Sequence, residues 1–270
     1  MDLAIISEIN QRDKNEDRAG AIQTSQGLVA VVCDGMGGLD YGDEAAQVAV
    51  NSVLCQAIKL PLTKWESEQE DPLAETNQLV RQLARDRNSA VGTTICILAY
   101  ELGRGIHLRW LGDSRVYIFR CAERKVYMLS EDNNIAWVQR EKQLISDDVW
   151  RTTPQQSKLT EYLGKEDWVK YQYKFLNDFV DGDIILLCTD GAIGSLTERH
   201  IAEVITMYRD DLSHLLIELF NDARKTDCED NQTAICIRIS KNIVQPDCED
   251  DREFRCINNG ISYTQIPVRR

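Results

Sequence analysis

Residues 93–129 read TTICILAYELGRGIHLRWLGDSRVYIFRCAERKVYML, and the fold class turns on this stretch. Four β-rich runs follow one another in it, at residues 93–100, 106–111, 116–121 and 126–129. The links at 103–105 and 121–125 have the length and composition of hairpin connections. Ile106-His107-Leu108-Arg109-Trp110-Leu111 alternates apolar and polar residues, as a strand with one half-exposed face does. The other runs are almost continuously apolar, as strands covered on both faces are. Outward from this block, similar runs occupy residues 3–7, 28–33, 168–175, 184–188 and 233–239. Helical spacing appears in Ala46, Val50, Val53, Leu54 and Ala57, and again in Leu212, Leu215, Leu216, Leu219, Phe220 and Ala223, with Asp210 or Asp211 as candidate caps. Weaker helical patterns cover residues 73–83 and 198–205, the second with Thr197 as cap. Strands cluster in sequence and so do helices. Strict βαβα alternation is absent, which predicts an α+β chain with antiparallel sheets over a doubly wound fold.

The chain has 270 residues, 43% of them hydrophobic and 28% charged. That is enough to bury a substantial core, and it excludes a wholly disordered, collagen-like or polytopic membrane chain. Acidic residues outnumber basic ones 44 to 31, for a formal net charge of -13. Such a surface repels nucleic acid and anionic lipid at long range, so neither is an expected partner. It also means that any anionic substrate must be met by a local positive centre. The cysteines number 9, an odd count with no C-x-x-C pair, and most lie in apolar runs, as buried free thiols of a reducing compartment do. The first 18 residues hold an apolar run of only four, preceded by Asp2, unlike a signal peptide. No apolar stretch approaches the ~18–20 residues that span a bilayer. A cytoplasmic protein without membrane contact is expected. After Ser240 the composition shifts to Pro246-Asp247-Cys248-Glu249-Asp250-Asp251. This suggests a main domain over residues 1–240 and a tail over 241–270, either a hairpin around Asn258-Asn259-Gly260 or a flexible extension.

The acids fall at strand ends. Asp34 follows the run 28–33 and precedes Gly35, and Asp190 follows the run 184–188 and precedes Gly191. Asp230 precedes Asn231 and the run 233–239, Asp113 follows Gly112 after the run 106–111, and Glu16 and Asp17 come after the first run. Each alone is an ordinary turn pair. If the strand ends converge, however, several carboxylates share one small volume, and like charge drives their pKa values up unless a cation intervenes. An all-oxygen donor set selects Mg²⁺ or Mn²⁺, and no His stands in any of these motifs, which argues against zinc. A pair of such ions acidifies a shared water and clamps a phosphoryl oxygen. Arg12, five residues before Asp17, can hold a phosphate through its guanidinium fork, a surface ion pair being the plainer alternative.

The motifs Arg12-x-x-x-Glu16-Asp17, Asp34-Gly35-Met36-Gly37-Gly38, Gly92-Thr93-Thr94, Gly112-Asp113-Ser114-Arg115, Leu163-Gly164, Asp190-Gly191 and Asp230-Asn231 occur in that order. Together they resemble the metal-dependent protein phosphatases of the type 2C class, and Asp-Gly-Met-Gly-Gly is similar to the bacterial branch. The resemblance implies an αββα sandwich, two antiparallel β-sheets flanked by helices, with the metals in a cleft at one end. It implies hydrolysis of phosphoserine and phosphothreonine in phosphoproteins, paired with a cognate Ser/Thr kinase, by direct attack of a metal-bridging hydroxide. By motif matching, Asp34 bridges two metals with the Gly35 carbonyl as a further ligand, and Asp190 and Asp230 hold the first. Asp17 holds the second, Glu16 acts through its waters, Asp113 helps to bind a third, weaker ion, and Arg12 binds the substrate phosphate. Residues 133–158 match the flap bordering the cleft, and their apolar pattern suggests a small helix pair.

Departures from the family pattern are local. Met36 stands where some relatives carry a His that protonates the leaving oxygen, Asn133 where a His often follows the Asp, and Glu161 where a basic residue is common. His107, His200 and His214 lie outside the motifs. Two other readings are of different classes. A non-catalytic phosphatase-like module that binds phosphoproteins normally lacks metal ligands, whereas all the expected acids are present. A two-metal phosphodiesterase acting on nucleotides sits poorly with the acidic charge.

Overall fold

Alternation along the strands sorts the apolar side chains into three layers. In β3 (Gly27–Asp34), Leu28, Ala30 and Val32 point one way and Val29, Val31 and Cys33 the other. In β9 (Ile184–Cys188), Ile185 and Leu187 oppose Ile184, Leu186 and Cys188. The first set from each strand meets in a central core and the second sets are covered by helices. This is the arrangement of two sheets packed face to face. The computed structural model describes residues 1–36, 40–62, 65, 71–147, 149–166, 171–226 and 228–240, and the backbone of Phe254–Ile257.

One sheet runs β1-β10-β9-β6-β7, comprising Asp2–Glu8, Gln232–Arg238, β9, Arg115–Arg120 and Lys125–Met128. The other runs β11-β2-β3-β4-β5-β8, with β11 Phe254–Ile257, β2 Asp17–Thr24, β4 Ile95–Glu101, β5 Gly105–Leu111 and β8 Gln172–Leu176. All pairings are antiparallel. Helices α1 (Gly42–Lys59) and α2 (Pro72–Arg87) cover the second sheet. The short α4 (Asp190–Ile193), α5 (Glu198–Tyr208) and α6 (Leu212–Arg224) cover the first. The α+β sandwich expected from the sequence is the one observed.

The helices start where their caps dictate. The Asp71 side chain accepts from Leu73 N–H with Pro72 in the first turn, Thr197 accepts from His200 N–H, and Asp211 accepts from both Ser213 and His214 N–H. Of the two candidate caps for α6, Asp211 is the one used. The small buried residues Ala45, Ala46 and Ala49 let α1 lie close on β2 and β3.

Several boundaries differ from expectation. β2 was not visible as a strand in the sequence, because Arg18-Ala19-Gly20-Ala21 lacks β-branched and aromatic residues. β4 starts at Ile95, since Thr93 instead bridges Gly35 and Leu163. The run expected at 168–175 is β8, starting at Gln172, and residues 167–170 lie outside the described residues. Among the described residues of the 133–158 block, α3 (Ile135–Glu141) is the only α-helix, and the second half forms turns and a 3-10 turn at Pro154–Ser157. The tail contributes β11, paired with β2, while Asn258-Asn259-Gly260 lie outside the described residues. Among the described residues Cys33, Cys96, Cys188 and Cys236 are buried free thiols, Cys55 is exposed, and no helix is long and apolar enough to cross a membrane.

Candidate active site

Register alone brings the acids to one end of the sandwich. Asp17 opens β2, Asp34 closes β3, and the two are direct cross-strand partners. In the other sheet Cys188 pairs with both Ala234 and Arg115. Asp190, just past β9, Asp230, just before β10, and Asp113, just before β6, therefore leave the sheet at the same end. Asp113 sits in the connection that crosses from β5 in one sheet to β6 in the other. Asp17, expected from the sequence just after the first strand, thus begins the second one.

Close backbone packing holds these ends together. Gly35 N–H donates to Glu16 O at 3.2 Å, and a Cβ on Gly35 would collide with the backbone of Gly42. A Cβ on Gly191 would collide with the Asn231 carbonyl. The glycine after each acid is required by approach of a neighbouring chain segment, beyond its value in a turn.

A polar cradle that the motifs did not reveal orients the carboxylates. Thr189 Oγ1 donates to Asp17 Oδ2 at 2.9 Å, and Asp17 N–H donates to Asn15 Oδ1 at 3.0 Å. Asn15 Nδ2 donates to Ser7 Oγ at 2.9 Å, which in turn contacts Thr233 Oγ1 at 2.7 Å. Asn231 Oδ1 accepts from Glu16 N–H at 2.9 Å, its Nδ2 donates to the carbonyls of Ile9 and Lys14, and its N–H donates to Asp230 Oδ1 at 2.8 Å. Asp34 N–H donates to Thr94 Oγ1 at 2.9 Å, and Thr94 Oγ1 lies 2.6 Å from Ser114 Oγ. Ser7, Asn15, Thr189 and Thr233 were legible only as short polar residues beside an acid or in a strand.

Burial and neighbouring charge act together on these acids. Burial pushes the Asp17 carboxyl up to about 7, against hydrogen bonds from Thr189 and Thr233 and with Asp190 and Asp230 adding to the rise. Asp34 is held well above the ordinary carboxylate range by burial and then by Asp17, Asp190, Asp113 and Asp230. Asp113 and Asp190 are raised mainly by burial as well, then by Asp190 and Asp230 respectively, while Arg115 opposes both shifts. Glu16 is raised chiefly by burial. Asp190 Oδ1 is buried and has no hydrogen-bond partner among the described residues. An orphaned acceptor costs free energy unless something positive meets it.

Arg12 reaches this cluster through its ion pair with Asp230, Nη2 to Oδ2 at 2.8 Å, with half of its side chain exposed. Among the described residues no group of three or more His, Cys, Asp or Glu side chains is already closed around one point as a metal ion requires. The acids share a field rather than a finished cage, and Asp230 commits one oxygen to Arg12. The donor set nevertheless fits a hard divalent cation: it is all oxygen, buried or half-buried, in mutual repulsion, and carries the orphaned Asp190 oxygen.

Around the cluster, Asn133 replaces the expected histidine with a structural role. Its Oδ1 accepts from Gly112 N–H at 3.1 Å and its N–H donates to Gly112 O at 2.7 Å, fixing the turn that bears Asp113. Glu161 pairs with Lys165 at 2.9 Å. Met36 N–H donates to Gly92 O at 3.1 Å, whereas Gly37 and Gly38 lie outside the described residues. His107 is buried in β5, and His200 and His214 lie on α5 and α6 against Asp222 and Glu218.

A family model described as "Protein phosphatase 2C" matches residues 7–231. The serine/threonine phosphatase stp of Listeria monocytogenes is 27% identical over 235 residues, covering 84% of this chain and 90% of that protein. The serine/threonine phosphatase of S. agalactiae superposes with a TM-score of 0.78 at 22% identity, covering 88% of this chain and 99% of that one. The catalytic domain of the serine/threonine protein phosphatase PstP, solved in complex with 2 manganese ions, superposes with a TM-score of 0.66 at 19% identity, covering 87% and 98%.

Proposed function

This chain belongs to the protein phosphatase 2C family, and we propose that it hydrolyses phosphoserine and phosphothreonine in proteins with the help of Mg²⁺ or Mn²⁺. The observation that carries the reading is the convergence of Asp17, Asp34, Asp113, Asp190 and Asp230 at one end of the sandwich, where burial and neighbouring carboxylates raise the proton affinity of Asp17, Asp34, Asp113 and Asp190. The PstP complex with 2 manganese ions lends support for a divalent metal. Asp34 would hold two ions, with the Gly35 carbonyl as a further ligand; Asp190 and Asp230 would hold the first and Asp17 the second, Glu16 acting through its waters, and Asp113 would help to hold a third, weaker one. Divalent cations held there would supply the positive field that an anionic phosphate needs and would acidify a water toward attack on phosphorus.

The chain's own residues do the positioning. The Thr189 hydroxyl and the Asn15 amide hold the Asp17 carboxylate and backbone in place. Arg12 exchanges its exposed contact with Asp230 for the substrate's phosphate oxygens, which its two parallel N–H donors match. The same substitution of partners leaves Asp230 free to bind a cation. Residues 1–240 form the phosphatase domain and 241–270 an extension that adds β11. Substrates are phosphoproteins made by a Ser/Thr kinase in the cytoplasm, where free thiols such as the four buried ones persist.

The test is hydrolysis of a phosphoserine peptide. Turnover requires added Mn²⁺ or Mg²⁺, stops with EDTA, and drops by about 100-fold or more in Asp34→Asn and Asp190→Asn. Metal-independent turnover, or full turnover in either variant, overturns the assignment. Phosphopeptide binding without turnover at saturating Mn²⁺ favours a non-catalytic module instead.

A further inference from the structure

Strand β7 forms one edge of its sheet and, among the described residues, pairs only with β6. Leu129 N–H donates to Val116 O across that pair. In an antiparallel ladder alternate residues turn their backbone groups to the same side. Lys125 and Tyr127 therefore also face β6, and the N–H and C=O groups of Val126 and Met128 face outward. An open edge of this kind is a template for a further strand.

Beside this edge runs a groove of about 760 Å³ between β7 and α5. Val126, Ala202, Thr206 and Met207 line it, and Met207 is 72% exposed. The acids on its rim are already engaged: Glu198 with Arg151, and Glu203 with Arg199 at 3.0 Å. The cations Arg124 and Lys125, also on the rim, have no ion-pair partner among the described residues. Glu123, next to them in the same turn, accepts from the Tyr127 hydroxyl, so on a chain with a net charge of -13 two adjacent cations stand beside an apolar groove without an ion pair among the described residues.

We propose that the β7 edge and the β7–α5 groove form a docking site for an extended, acidic segment of a partner protein, separate from the strand-end carboxylates. The segment adds to β7 as a strand, bonding the outward groups of Val126 and Met128. Its alternate apolar side chains enter the groove over Ala202 and Met207, and its carboxylates meet Arg124 and Lys125.

The test selects binders to the full chain from a displayed library of random twelve-residue peptides. Affinities of the selected peptides are then measured by fluorescence anisotropy. Enrichment of peptides alternating apolar and acidic residues is expected. Their affinity falls at least tenfold in Arg124→Glu/Lys125→Glu and in Met207→Asp, and is lost when alternate peptide amides are N-methylated. A thermal melt matching the native chain shows that each variant folds, and Arg124→Gln/Lys125→Gln replaces the charge reversal if it does not. No enrichment, binding undiminished by these variants, or selection of basic peptides overturns the proposal. So does concentration-dependent self-association abolished by Met207→Asp, which makes a second copy the occupant.

Discussion

Asp17 and Asp34 face each other across the last rung of the β2–β3 ladder, two carboxylates set side by side where the sheet ends. Burial raises the proton affinity of both, and the neighbouring acids add to it, Asp190 and Asp230 at Asp17 and Asp17 first among them at Asp34. Asp34→Asn keeps the shape and removes the charge. It should therefore raise the melting temperature of the EDTA-treated protein while lowering phosphopeptide hydrolysis by about 100-fold or more. A melt with EDTA and a rate with Mn²⁺, on the same preparation, check both halves. A loss of stability in EDTA contradicts the repulsion on which the site assignment rests.

The raised Asp17 carboxyl makes a signed pH prediction. Its folded value is about 7 and its ordinary value 3.8. Between these the folded chain binds a proton that the unfolded chain has released, so stability falls as pH rises through the window, by about 1.4 kcal/mol per unit at most. In EDTA the urea midpoint should drop from about pH 4.5 to about pH 7.5. Asp17→Asn should flatten the decline, and Mn²⁺ should restore more stability at the upper end of that range than at the lower, because a cation takes the proton's place.

The sequence exposes the ligands better than it exposes what holds them. The five acids are legible because each abuts a hydrophobic run and a turn residue. Strand β2 is not, since Ala19, Gly20 and Ala21 carry no β signal and are strand only because β3 and β11 pair on either side. Thr189 and Thr233 look like ordinary strand residues, yet they set the Asp17 carboxylate. Their role depends on a hydrogen bond spanning 172 positions in the chain, from Asp17 to Thr189, which no local pattern encodes. The Arg12–Asp230 pair was the plainer alternative for Arg12, and it stands within the cluster that the phosphate reading required.

Arg12→Ala should separate these two readings of the arginine. The pair is half exposed, so its removal should cost no more than about 1 kcal/mol of stability. If the guanidinium grips the substrate's phosphate, the same variant should raise KM for a phosphopeptide about tenfold, with Arg12→Lys recovering only part because lysine offers a point charge instead of a fork. Steady-state kinetics beside a urea titration resolve the two. An unchanged KM leaves Arg12 as a surface partner of Asp230.

Arg115 and Asp132 form a two-bond ion pair at 2.9 and 2.7 Å with both side chains buried. Arg115 also donates to Gly194 O at 3.1 Å, past the helix that Asp190 opens, and stacks 4.8 Å from the Trp150 ring. Removing one partner strands a buried charge. Asp132→Ala should therefore cost about 3–5 kcal/mol in urea unfolding. The double variant Asp132→Leu/Arg115→Met leaves no stranded charge and should recover most of that stability. It should not recover activity, because the link from Trp150 through Arg115 to the Asp113 and Asp190 segments is then gone. Full recovery of both would show that the pair only fills space, and that the acids are positioned by the threonine and asparagine cradle alone.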